Sequence, residues 1–351
     1  MKSIVLVALL GLCAAFYLPD GQYPVKVHRT DPARLSKHYH HPAHDFYFIT
    51  LEVLIGTPPQ FNSYLIDTTH GDLEVRLCAH NPPTDADYAC FNAAKSSTFK
   101  RVNDHIARDT IQTTGPFPTP NVSFAIVSPN SYKDPSEIAG TIGLGWGSKY
   151  PGETSFTMDY LADRPKFSIV SGNDQCITRV GFGIGANCTG NQLFQLATTS
   201  TRYWQIDFDG FGIGSVIVKG KGQAVIDTTR EYIGMPKKYL EQFADAYQID
   251  WSDEYGAYTV DCDRAYTLPS LKFSVDGGPL VIAAQQYVYS EKKLPNGQCV
   301  LSFEDSKANG SGPEWYFGIQ IITEYCMIFD YEQKTMSFYK DPMAIQCPSH
   351  A

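Results

Sequence analysis

From Phe46 onward the chain alternates short apolar runs with turn residues, and it does so almost to its end. Phe46-Tyr47-Phe48-Ile49 leads into Leu51-Glu52-Val53-Leu54-Ile55, and the turn Gly56-Thr57-Pro58-Pro59 closes that unit. Runs of this length, bounded by Gly and Pro, read as strands. Helical signals are few; the best are Lys237 to Tyr247, which follows Pro236, and a stretch near Met158 to Ala162. The chain has 351 residues, too many for one ordinary core. The pattern therefore predicts an all-β protein of two lobes with few short helices, placed at 46–200 and 201–351.

A weak internal repeat supports the division. Tyr64-Leu65-Ile66-Asp67-Thr68-Thr69 has a counterpart in Ala224-Val225-Ile226-Asp227-Thr228-Thr229. Each is an apolar strand running into Asp-Thr-Thr. Well downstream of each come two apolar residues and a glycine, Ile138-Ala139-Gly140 and Tyr316-Phe317-Gly318. Two similar halves, each offering a carboxylate at a strand end, suggest a site between two lobes.

The N-terminus reads as a signal peptide over 1–15. Lys2 precedes the apolar run Ile4 to Leu10, and Cys13-Ala14-Ala15 offers small residues for cleavage after Ala15. No other long apolar run occurs, so the expectation is a secreted protein with no membrane span. Residues 16–45 read as a short, polar, leader-like segment; its His38, His40, His41 and His44 are taken as solvated rather than metal-binding. Eight cysteines follow the signal peptide: Cys78, Cys90, Cys176, Cys188, Cys262, Cys299, Cys326 and Cys347. An even number in a secreted chain suggests disulfides, and no zinc-site spacing is present. Asn121, Asn187 and Asn309 open N-glycosylation sequons.

Composition adds little that is new. Tyr and Phe, at 22 and 20 copies, favour strands. A net charge of −9 argues against nucleic acid or an anionic membrane as partner. No cofactor and no metal are implied, and the expected state is a monomer.

Seven ordered segments resemble the pepsin-like (family A1) aspartic peptidases: Ile55 to Phe61, the first Asp-Thr loop, Ser96-Ser97-Thr98-Phe99, Ala139 to Gly145, Tyr203-Trp204-Gln205-Ile206 with Gln223 to Thr228, Leu268 to Phe273, and Trp315-Tyr316-Phe317-Gly318. The resemblance runs from about Phe46 to about Tyr339. It implies a bilobal fold with an interlobe cleft that holds a peptide or protein. It implies Asp67 and Asp227 as a pair sharing one proton. The ionised member serves as general base for a water held between them, and the protonated member polarises the peptide carbonyl. Thr68 and Thr228 are implied as the threonines that tie one loop to the other, and Gly140 and Gly318 as the positions where a neighbouring strand passes close. It also suggests Cys78–Cys90 and Cys262–Cys299 as bridges, leaving Cys176–Cys188 and Cys326–Cys347 as near neighbours, although sequence alone does not fix connectivity.

The sequence departs from that family at three places. The loops of family members continue Asp-Thr-Gly or Asp-Ser-Gly and then Ser or Thr; here Thr69 and Thr229 stand at the glycine positions, and His70 and Arg230 follow. A branched Cβ replaces hydrogen, and a small neutral donor gives way to side chains not expected to copy it. The hairpin that carries a substrate-covering Tyr is reduced to a stub between Phe99 and Asp109. The leader keeps Tyr23-Pro24-Val25-Lys26-Val27, like a first inhibitory strand, and little of the remainder. These changes point to a catalytically impaired or inactive member that binds peptide or protein. The alternatives are an active acid endopeptidase using Asp67 and Asp227, and a small-ligand carrier.

Overall fold

The structure is a computed structural model that describes residues 22–30, 46–78, 89–112, 119–127, 138–148, 150, 156–161, 165–171, 178–289, 293–310 and 312–340. The expected signal peptide, most of the leader with its histidines, Cys176 and Cys347 lie outside the described residues.

The alternating pattern becomes three sheets, of thirteen, seven and four strands. Among the described residues the α-helices are short: Phe156–Tyr160, Lys237–Tyr247, Cys262–Ala265, Ala284–Tyr287 and Ile319–Glu324. The longest starts where Pro236 offers its carbonyl to Tyr239 and Leu240, and it buries Leu240, Phe243 and Ala244 along one face. Strands alternate in the expected way: in Asn191–Ala197 only Phe194 and Leu196 turn inward. The core is aromatic in both halves. Tyr64, Phe91 and Phe124 are buried in the first, and Phe273 in the second packs edge-on against Trp315 and Phe317 with ring centres 4.9 and 4.8 Å away. The predicted all-β, bilobal fold is the observed one.

The internal repeat is structural. In the first half strand Gln60–Asp67 runs parallel to Ile138–Gly143, which pairs antiparallel with Leu73–Arg76. In the second, Val216–Ile226 runs parallel to Trp315–Phe317, which pairs antiparallel with Ile233–Met235. Each half thus delivers its Asp-Thr-Thr at the end of a strand held between the same kinds of neighbour.

The halves also share a sheet. Cys326–Asp330 pairs with Lys166–Ser171, and Thr335–Lys340 pairs with Asn191–Ala197, so the last strands among the described residues complete the thirteen-stranded sheet of the first half. Strand Gln22–Thr30 sits inside the same sheet, between Thr178–Phe182 and Phe46–Ile55.

This sheet corrects the cysteine pairing. Cys78–Cys90 and Cys262–Cys299 are bridged, but the third bridge among the described residues is Cys188–Cys326, 138 residues apart in sequence. The expected Cys176–Cys188 and Cys326–Cys347 pairs are therefore not formed. Nearness along the chain was the wrong guide: Cys326 and Gln192 both lie opposite Tyr339 in the sheet, so pairing of the terminal strands carries Cys326 to the segment that enters at Cys188. Asn121, Asn187 and Asn309 are all exposed.

Candidate active site

The two Asp-Thr-Thr loops meet back to back through their threonines. Thr68 Oγ1 donates to the carbonyl of Ile226 at 2.7 Å and accepts from the amide of Thr228 at 3.1 Å. The reciprocal pair is Thr228 Oγ1 to the Ile66 carbonyl, 2.8 Å, and Thr68 amide to Thr228 Oγ1, 3.2 Å. Both threonines are fully buried, so each hydroxyl satisfies two main-chain groups that water cannot reach.

The glycines serve these loops. A Cβ on Gly140 would strike the Glu74 carbonyl, and one on Gly318 would strike the Arg230 carbonyl. Each glycine therefore lets a strand lie directly against the chain that leaves its loop. Main-chain bonds fix the contacts: Leu144 N to Asp67 O at 2.6 Å in one half, Asp227 N to Phe317 O at 2.9 Å in the other.

Both carboxylates are nearly buried and similarly held. The inner oxygen of Asp67, Oδ1, accepts from the amide of Thr69 at 2.7 Å and from its hydroxyl at 2.6 Å. Oδ1 of Asp227 accepts from the amide of Thr229 at 3.0 Å and from its hydroxyl at 2.6 Å. The outer oxygens are taken by the next residue. His70 Nδ1 lies 2.8 Å from Asp67 Oδ2, an ion-pair contact rather than an aligned hydrogen bond. Arg230 Nε donates to Asp227 Oδ2 at 3.0 Å.

The surroundings push the two carboxyls in opposite directions. Burial alone raises Asp67, but the contact and charge of His70 and the two Thr69 donors outweigh it and leave the group below its ordinary value. Burial also raises Asp227, and the charge of Asp67 adds to it; Thr229 and Arg230 pull the other way without overcoming them, so Asp227 sits above its ordinary value. The crossed bonds of Thr68 and Thr228, one residue on from each aspartate, bring both groups to the same junction of the loops.

Residues 46–340 match the family described as eukaryotic aspartyl protease. The chain belongs to that family. Among curated proteins it is 24% identical to Aspartic protease 1 of Caenorhabditis elegans over 94% of this chain and 96% of that one. It is 25% identical to gastricsin of Callithrix jacchus over 90% and 88% of the two chains, and 24% identical to the pregnancy-associated glycoprotein of Equus caballus over 80% and 78%.

Within this aspartyl protease fold, one expectation drawn from the loops needs correcting. The hydroxyl missing from the fourth loop position is not simply lost. Thr69 and Thr229 bring their own hydroxyls to the inner oxygens, Arg230 donates to the outer oxygen of Asp227, and His70 lies against that of Asp67 without an aligned hydrogen bond. The stub between Phe99 and Asp109 is a small hairpin: Lys100–Arg101 pairs with Ile106–Gln112 across a turn closed by Val102 N to Ile106 O at 2.9 Å, and it contains no tyrosine.

Three participants escaped the sequence reading. Glu74 Oε1 lies 3.9 Å from His70 Nε2, Glu304 Oε1 accepts from Arg230 Nη1 at 2.5 Å, and the Arg230 guanidinium carbon stands 4.2 Å from the ring centre of Tyr316. Alternation along Leu73–Arg76 would have placed Glu74 and Arg76 on one face of the strand that leaves the loop; nothing local marks Glu304, which lies 74 residues from Arg230.

Proposed function

We propose that this protein is a secreted member of its family that binds peptide or protein segments in the cleft between its lobes and hydrolyses them slowly or not at all. The observation that supports this most is the kind of group on the outer carboxylate oxygens, an imidazole 2.8 Å away at Asp67 and a guanidinium 3.0 Å away at Asp227, where the family has small neutral hydroxyls. Hydrolysis by two aspartates needs those oxygens for a water and for a shared proton. A side chain on each outer oxygen competes with the water for its lone pairs, and at Asp227 the competitor is the permanent charge of Arg230. A cleft whose polar groups are already satisfied can hold an extended chain without activating water against it.

The test is cleavage of a denatured protein substrate across acidic pH, with Asp67→Asn as control. The expected rate is roughly a hundredfold or more below that of an ordinary acid protease, the scale of losing preorganised donors around a reacting group. Restoring Gly at Thr69 and Thr229, Ser at His70 and Thr at Arg230 should recover part of the activity. An ordinary rate in the unmodified protein, abolished by Asp67→Asn, overturns the reading in favour of an active acid endopeptidase. One observation favours that second reading: with Asp67 held low and Asp227 raised, there is an acidic range in which one is ionised and the other protonated.

A further inference from the structure

The two caps on the aspartates differ in where they can go. The His70 side chain is 6% exposed, with one nitrogen toward Asp67 and the other toward Glu74, both in the interior. Arg230 spans from the interior to the surface. The Asp227 side chain at its inner end is 8% exposed; the Arg230 and Glu304 side chains are each 35% exposed. The Arg230 main chain is pinned, since its amide donates to the Asp227 carbonyl at 3.2 Å and its carbonyl accepts from Ile319 at 3.0 Å. Only the side chain is free to turn, and it already has an outward partner in Glu304 and a flat support in Tyr316.

Deepening the reading of a peptide-binding cleft, on which it rests, we propose that Arg230 is a displaceable plug over Asp227 Oδ2, and that a peptide with a hydroxyl at its centre binds by swinging the guanidinium outward onto Glu304. The plug then sets the affinity for such ligands: every ligand that uses the outer oxygen must first break the Arg230–Asp227 contact. The charged and titratable groups around Arg230 fit this reading. Asp227 faces it from its own loop, Glu304 from strand Phe303–Asp305 and Tyr316 from strand Trp315–Phe317. Tyr232, two residues on, feels Glu231 and Glu304, and Asp67 acts on Asp227 from the opposite loop. Arg230 itself stays charged throughout, because Asp227 and Glu304 outweigh the effect of its burial. Acid that protonates Asp227 removes the inner partner of the plug and leaves its hydroxyl available to the ligand.

The experiment is calorimetric titration of the full protein with a statine-containing peptide at neutral and acidic pH. Arg230→Thr should bind roughly tenfold to a hundredfold tighter than the unmodified protein at neutral pH, the scale of one charge-assisted hydrogen bond no longer competing. Glu304→Gln, which removes the outward anchor, should bind about threefold weaker. Opposite signs are the signature, since an arginine with a purely structural role would weaken binding in both variants. Unchanged or weaker binding by a folded Arg230→Thr overturns the proposal, as does the absence of binding by all three proteins. If Arg230→Thr fails to fold, Arg230→Lys, which lacks the Nε donor, must move in the same direction. An ordinary cleavage rate would overturn the weak-hydrolysis reading and leave the plug standing, provided binding moves as stated.

Discussion

The Asp-Thr-Thr loop of the first lobe and that of the second are near copies for three residues and then diverge. Asp, Thr and Thr repeat the same contacts within a few tenths of an ångström: aspartate to threonine amide and hydroxyl, threonine to the facing main chain. The fourth residue is His70 in one and Arg230 in the other. The first carries an ionisable ring enclosed with Glu74, and the second a permanent cation that reaches the surface at Glu304. Backbone symmetry therefore does not give electrostatic symmetry. The two carboxyls, equivalent in their strands, end up on opposite sides of their ordinary value.

The backbone half of this comparison is the most costly to break. Thr68→Val and Thr228→Val each leave one buried carbonyl and one buried amide without a partner, so each should lose about 2–5 kcal/mol in urea unfolding at neutral pH. If the loops are true equivalents the two losses agree within about 1 kcal/mol; a wide gap would show that one lobe carries the junction. Next come Gly140→Ala and Gly318→Ala. Each puts a methyl against a main-chain carbonyl, with an expected loss of roughly 1–3 kcal/mol by the same measurement.

The smallest effect separates the carboxyls themselves. Asp67 is lowered in the folded state, so its ionised form stabilises the protein above the ordinary value of 3.8 and that contribution fades as pH falls through the folded value. Asp227 is raised, so its ionised form costs stability above its folded value and the cost disappears as pH falls below 3.8. Melting curves should therefore show Asp67→Asn lower than Asp227→Asn by roughly 2 °C or more at neutral pH, with the gap narrowing as the pH falls below 3.8. Equal melting temperatures across that range would remove the asymmetry.

Sequence carried the fold far because the repeat carried it. Ile66-Asp67-Thr68-Thr69 and Ile226-Asp227-Thr228-Thr229, with Gly140 and Gly318 behind them, mark local geometry that tolerates few other residues: a strand end, a crossing hydroxyl, a close approach. The caps were not legible in the same way. His70 and Arg230 were visible as departures, yet their contacts depend on where a long side chain finds a partner, and Glu304 is brought to Arg230 only by the parallel pairing of Ile233–Met235 with Phe303–Asp305. The disulfide Cys188–Cys326 was hidden for a related reason, since sheet order and not chain distance decides which cysteines meet.

The thirteen-stranded sheet has a consequence for how the molecule is made. Strand Lys166–Ser171 waits for Cys326–Asp330, and Asn191–Ala197 waits for Thr335–Lys340, which are synthesised well over a hundred residues later. Until then the first lobe has an open β edge and no route to its finished state, however complete its own strands are. Such long-range pairing folds slowly and exposes nascent chains to edge-to-edge association. A chain that stops before Cys326 is thus expected to be not a shorter version of this protein but an aggregation-prone one, with Lys166–Ser171 left as an open edge.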